Sequence, residues 1–250
     1  MYYKILKKIV GTLGFKLAEK NTVKNDRLIS SNSYLKIDRI LNYLFLSNKL
    51  KTIIQIGAND GMRFDVLNKY IKKYNPKVIL VEPIKSNFLD LKKNYKNQKN
   101  LFFENSAISV DNKINKLFKV KNSKLGLYDE HIIGITSFEK NHLIKHGVKK
   151  NHIIEEIVNS ISISELLKKY SIEDLDLLYI DTEGYDGEII LDFLNKSRLK
   201  PIIIFEYVHI NHQVLKKTLN QLNNNKFYFF KIDENILCFP AEKKSTLNFF

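Results

Sequence analysis

The 250 residues are long enough for one large α/β domain and too short for two of ordinary size. With 44% hydrophobic, 27% charged and 12% aromatic residues, the chain can fill a core, which excludes wholesale disorder. Its one cysteine, Cys238, excludes an intramolecular disulfide and a cysteine-based zinc site.

The formal net charge is +14, and residues 1–50 hold 10 basic against 3 acidic residues. The excess is almost all lysine, the only arginines being Arg27, Arg39, Arg63 and Arg198. Nucleic-acid grooves favour arginine for its bidentate fork, so the charge reads as a solvated surface and argues against a nucleic-acid partner. The first twenty residues form a basic amphipathic pattern that leaves weak contact with an anionic membrane surface open. They lack the apolar core of a signal peptide, and no run is long enough for a membrane span, so the expectation is a cytoplasmic protein.

In chain order, residues 1–50 read as a helical segment packed on the main domain. Leu35, Ile40, Leu41, Leu44 and Phe45 recur at helical spacing, with Asn32 or Ser33 as cap. From residue 51 to the end, short apolar runs alternate with helical ones. TIIQIG (52–57) predicts a first strand, then a turn and a helix to about Tyr74. VILVEP (78–83) predicts a second strand after Pro76, and LFFENSAIS (101–109) a third. DLDLLYID (174–181) and PIIIFEY (201–207) predict a fourth and fifth, separated by the helical GEIILDFLNKS. KFYFFKI and ILCFP around the turn DEN predict a C-terminal antiparallel hairpin. The pattern is that of a doubly wound, mostly parallel sheet covered on both faces. Residues of about 110–160 interrupt it as a lid-like insertion, in which KLFKV and IIEEIVNS read as extra strands.

Three motifs carry chemistry. IGANDG (56–61) lies between a strand and a helix, where Gly57 and Gly61 allow a sharp turn and Asn59 and Asp60 offer polar atoms. Asn59 stands where G-x-G-x-x-G needs its second glycine, and no Gly-Lys-Ser/Thr follows, so neither a dinucleotide fingerprint nor a P-loop is complete. Glu82 ends the second strand 22 residues after Asp60, the place from which an acid accepts hydrogen bonds from ribose hydroxyls. Turn and acid together predict a nucleoside-containing ligand. The third motif is IDTEGYD (180–186), with FEY (205–207) beside it, which predicts that Asp181, Glu183 and Glu206 converge at the mouth of the crevice. There they serve as a general base or share a divalent cation; Glu183 alternatively caps the following helix. His209, three residues past Glu206, is placed to take a proton at neutral pH. His131, His142, His146 and His152 lie in the insertion. His142 and His146 have i, i+4 spacing, but without H-E-x-x-H they are expected to be solvated lid residues.

IGANDG, VEP, LYIDTEGYDGEII and the strand ending in Glu206 resemble the FkbM-type methyltransferases over about residues 52–240. The resemblance implies a class I, Rossmann-like fold with a seven-stranded sheet and S-adenosylmethionine as cofactor. It also implies O-methylation of a hydroxyl on a sugar, a glycan precursor or a natural product. By resemblance, Gly57, Ala58, Asn59, Asp60 and Gly61 approach the methionine part of the cofactor, and Glu82 holds its ribose. Ser106 and Ala107 then lie by the adenine, and Asp181 near the methyl sulfonium. The sequence departs from the family pattern at Asp60 and at Arg63 and Phe64. A nucleotide-dependent oxidoreductase and a non-catalytic module binding a nucleotide or an anionic surface are the alternatives.

Overall fold

A computed structural model gives the fold and describes residues 24–25, 28–29, 36–47, 49–63, 65–111 and 116–242. The basic pattern of the first twenty residues, the candidate caps Asn32 and Ser33, and Leu35 lie outside the described residues.

The alternating apolar runs become strands of one sheet: β1 (Thr52–Ile56), β2 (Lys77–Val81), β3 (Leu101–Glu104), β8 (Leu177–Ile180), β9 (Ile202–Glu206), β10 (Phe227–Ile232) and β11 (Asn235–Pro240). Their spatial order is β10-β11-β9-β8-β1-β2-β3. β11 runs antiparallel to both its neighbours, and the other pairings are parallel. The chain builds outward from β1 through β2 to β3, then returns to start the other half at β8. That reversal opens a crevice between the carboxyl ends of β1 and β8. The register makes it a site: Ile56 pairs with both Val81 and Ile180, and Ile180 with Phe205. Gly57, Glu82 and Asp181 therefore leave the sheet at the level of Glu206, the last residue of β9.

Side chains alternate across the sheet, so each face buries its own set. Ile54, Ile56, Leu178, Ile180, Ile203 and Phe205 pack with α7 (Asp186–Lys196) and α8 (His212–Asn224) through Phe193 and Leu215. Ile53, Val78, Leu80, Tyr179 and Ile204 face α1 (Ile37–Leu46), α2 (Asn68–Tyr74) and α3 (Lys85–Asn94). In α1 the buried residues are Ile40, Leu41, Leu44 and Phe45, the helical stripe read from the sequence, and Phe45 stacks on Tyr70 with centroids 5.0 Å apart. No helix of the described residues is long and apolar enough to cross a membrane.

The expected third strand is two. After β3 the chain leaves the sheet, and β4 (Ala107–Ile108) pairs instead with β7 (Ser160–Ile161). The polar Glu-Asn-Ser step causes the break. Asn105 Nδ2 donates to the carbonyls of Glu82 and Pro83 at 2.9 and 3.0 Å, and Ser106 Oγ donates to Glu104 Oε1 at 2.7 Å. The helix after β1 also starts later than expected. Asp60 and Asp65 hold residues 60–63 and 65–67 in turns by accepting from Met62, Arg63 and Leu67 N–H groups.

Between β4 and β7 the insertion folds on itself. β5 (Lys116–Val120) and β6 (Ile153–Ile157) pair antiparallel around α4 (Glu130–Gly134) and α5 (Lys140–Lys145). Val120, Ile135, Leu143, Val148 and Ile153 form its small core. Leu117 and Val158 pack on Ile84 and Ala107, which seats the insertion beside the carboxyl edge of the sheet. The helix that follows, α6 (Ile163–Lys169), begins with a capping box between Ser162 and Glu165.

Phe193 is fully buried between α7 and the sheet. Phe193→Ala should lower unfolding free energy by about 3–5 kcal/mol, read as a fall in the urea midpoint at unchanged m.

Candidate active site

The turn after β1 is shaped by its neighbours. Gly57 has φ +83°, and a Cβ there would lie 1.8 Å from the carbonyl oxygen of Asp181. Its N–H and that of Ala58 both donate to Val81 O at 3.0 Å, locking the turn to β2. Asn59 also has positive φ, and its N–H donates to Glu82 Oε2 at 2.9 Å. Asp60 turns inward, paired with Arg63 Nε at 2.5 Å. At Gly61 (φ +69°) a Cβ would meet Leu91 and Tyr95 at 2.5 Å, so packing of α3, not ligand approach, requires glycine there.

Glu82 is buried, and both carboxylate oxygens are held: Oε2 by Asn59 N–H and Oε1 by Ile84 N–H at 2.8 Å. Burial outweighs these hydrogen bonds and pushes its pKa up to about 7. Each oxygen keeps a lone pair for a further donor.

At the end of β8, Asp181 N–H donates to Ile56 O at 3.0 Å. Burial and the charges of Glu183 and Asp186 push the Asp181 carboxyl well above its ordinary range. The capping role open to Glu183 is not taken: Tyr185 is the cap residue of α7 and makes no side-chain cap hydrogen bond, and the buried Asp186 opens the helix. The Asp186 carboxylate accepts from Thr182 Oγ1 at 2.6 Å at the start of α7, and burial raises its pKa to about 6. Glu183, at φ +54°, turns instead toward histidines. Its Oε2 lies 3.3 Å from His142 Nε2 and 3.8 Å from His209 Nε2. Burial opposes its ionisation, but the His142 hydrogen bond and the nearby histidine charges hold its pKa below the usual value. Glu206 Oε1 is 3.8 Å from His209 Nε2, while its buried Oε2 has no hydrogen-bond partner among the described residues. Burial and the neighbouring Asp181 and Glu183 raise its pKa well above normal.

A cavity of about 300 Å³ occupies the crevice. Of the residues singled out in the sequence, it brings together Gly57, Ala58, Asn59 and Glu82 on one side, and Asp181, Glu183 and Glu206 on the other. Ser106 and Ala107 line it as well, whereas Asp60, Gly61 and His209 do not. Sequence reasoning passed over Asp65, Thr182, Glu234 and Asn235, and also Thr136 and Phe138, by which the insertion reaches the wall. Asn235 arrives through its pairing with Glu206, a register that no local pattern announces. His142 and His146, expected as solvated lid residues, are partly buried against His209.

Glu82 binds its proton more tightly in the folded than in the unfolded chain. Its contribution to stability is therefore full below about pH 4.5 and is lost as pH rises through about 7. Asp186 acts the same way, its contribution being lost as pH rises through about 6. The unfolding free energy of the ligand-free chain, read from urea titrations, should fall between about pH 5 and 8, and the fall should be smaller in Glu82→Gln, by up to about 3 kcal/mol. Identical pH slopes in the two proteins would remove the assignment.

The sequence model of the methyltransferase FkbM domain matches residues 55–230. The O-methyltransferase from Bacillus cereus, solved in complex with SAH, is similar at TM-score 0.46 and 8% identity, covering 95% of this chain and 97% of that one. Methyltransferase FkbM from Methylobacillus flagellatus KT gives TM-score 0.44 and 12% identity, over 76% of this chain and 44% of that one. The fibrillarin pre-rRNA processing protein of Methanococcus jannaschii gives 0.40 and 10%, over 76% of this chain and 65% of that one. The chain thus spans less than two-thirds of the length of the latter two. No curated protein sequence matches it significantly. The match runs from within β1 to within β10 and so takes in the parallel sheet and the crevice, in a fold of the class I methyltransferase type. The chain belongs to the methyltransferase FkbM domain family.

Proposed function

We propose that the chain transfers a methyl group from S-adenosylmethionine to a hydroxyl, carried by a sugar, a glycan precursor or a natural product. The observation that carries this reading is the alignment of Gly57, Glu82 and Asp181 at one level around the switch-point cavity. The residues present fit the donor. The Gly57–Asn59 turn offers close backbone approach to its methionine part, and Glu82 keeps lone pairs for two ribose hydroxyls. Ser106 and Ala107 take the adenine side, and Asp181 faces the sulfonium.

S-adenosylmethionine supplies an electrophilic methyl carbon and its own leaving group. The chain's work is to align the acceptor oxygen, exclude water and accept one proton. Glu206 is the group for the proton: it lines the cavity at the end of β9, and its Oε2 is not hydrogen-bonded by any described residue. Asp181 and Glu183 beside it accept hydrogen bonds from a polyhydroxylated acceptor, which favours a sugar-like substrate over an apolar one. Thr136 and Phe138 of the insertion line the cavity, which supports reading the insertion as its lid.

Calorimetry with S-adenosylmethionine, its demethylated product and NAD tests the donor. Binding of the first two is expected, and NAD binding with neither of them overturns the class. Glu82→Ala should weaken donor affinity by about one to two decades, the value of hydrogen bonds to a charged acceptor. Glu206→Gln should lower the rate with a matched hydroxyl acceptor by about two to four decades while donor affinity holds. A folded Glu206→Gln protein working at the parent rate would leave Glu206 no role in proton removal.

A further inference from the structure

Three histidines meet beside the cavity. His142 and His146, four residues apart on and just past α5, share a helix face. His209 reaches them from the loop after β9, and Gly184 admits it, since a Cβ there would lie 3.0 Å from the His209 carbonyl oxygen. The ring centroids are 4.6 Å apart for His142–His146, 4.7 Å for His142–His209 and 5.0 Å for His146–His209. One ring nitrogen from each lies within 4.8 Å of the other two.

Packing alone does not account for the company these rings keep. The carboxylates of Glu183 and Glu206 stand against them, and at 3.8 Å His209 Nε2 is too far from either for a hydrogen bond. A zinc ion with bonds near 2.0–2.1 Å holds tetrahedral ligand atoms about 3.4 Å apart. From within 4.8 Å, the three nitrogens need to close by at most ~1.4 Å, a side-chain rotation. The two carboxylates balance a double positive charge. Glu183 at 3.3 Å from His142 Nε2 is also the orienting partner that metal-bound imidazoles use. Three imidazoles select a transition-metal ion over Mg²⁺ or Ca²⁺, which require oxygen cages. The site therefore differs in ligands and in metal from a cation shared by Asp181 and Glu206.

We propose that His142, His146 and His209 bind one divalent transition-metal ion, zinc by preference, and that the ion fastens the insertion to the loop after β9. Two of its ligands belong to the insertion and one to the catalytic sheet, so binding ties the roof of the cavity to its floor. The fourth position is left for water.

The test uses the full, untagged chain, stripped of metal with EDTA and without methyl donor, so its outcome is independent of the methyl-transfer reading. Titration with Co²⁺ should saturate at one equivalent with visible d–d absorption, and Zn²⁺ should displace it. Zn²⁺ should also raise Tm and protect residues 121–152 from proteolysis. His142→Ala, His146→Ala and His209→Ala should each weaken Co²⁺ binding by more than the roughly 10–100-fold typical of losing a supporting partner. His152→Ala, whose ring bonds Tyr128 outside the cluster, should bind as the parent does. A parent chain that shows neither Co²⁺ absorption nor a Tm rise with Zn²⁺ overturns the proposal, even if the histidine variants fail to fold. Undiminished binding in the three cluster variants, or equal loss in His152→Ala, overturns the ligand assignment. Binding without proteolytic protection overturns the fastening role.

Discussion

The close approach of β1 and β8 governs the molecule. Where the two parallel strands end, the carbonyl oxygen of Asp181 sits in the space that a side chain at position 57 would fill. Only glycine, with its free access to positive φ, lets the chain turn there without displacing β8. That one contact sets the level at which both strands end. The parallel register then carries the same level to Glu82 on β2 and Glu206 on β9. The crevice is a consequence of sheet geometry, and its chemistry follows from which residues stand at or just past the end of each strand.

Those residues are mostly acids, and gathering them is costly. Asp181, Glu183 and Glu206 share a small volume, and a buried, unpaired carboxylate costs several kcal/mol. The chain meets this cost in two ways. At Asp181 and Glu206 the carboxyl holds its proton more tightly, while at Glu183 histidines supply opposing charge. Glu82 takes a middle course, since two backbone N–H groups hold it and burial still keeps its pKa near neutrality, at about 7. Such tuning is common where a site must accept protons or cations.

The insertion is built separately and then attached. Its small core of Val120, Ile135, Leu143, Val148 and Ile153 is its own, and Leu117 and Val158 supply its apolar seat on the main domain. Beyond that seat it meets the main domain through Phe138, edge-on to Tyr185 with centroids 4.8 Å apart, and through polar contacts, His142 on Glu183 and Lys85 N–H on Glu156. A unit attached in this way can differ in shape or acceptor contacts without disturbing the sheet, in keeping with catalytic variety borne by loops on a rigid scaffold.

Periodicity alone determined much of this protein. Continuous apolar runs alternating with helical stripes identify a parallel sheet buried on both faces, and the spacing from Asp60 to Glu82 locates the crevice. These features are local or depend on short connections, so they are written in consecutive residues. The break at Glu104–Ser106 was not legible, because it depends on Asn105 reaching carbonyls of residues 82 and 83. Neither was the reason for Gly61, which is the packing of Leu91 and Tyr95. The histidine cluster lay furthest from view. His142 and His146 show their spacing in the sequence, but His209 stands more than sixty residues away, and Glu183 turns toward them from a left-handed turn after β8. Which side chains meet across such separations depends on strand order and register, and these are settled only when the whole sheet closes over its core.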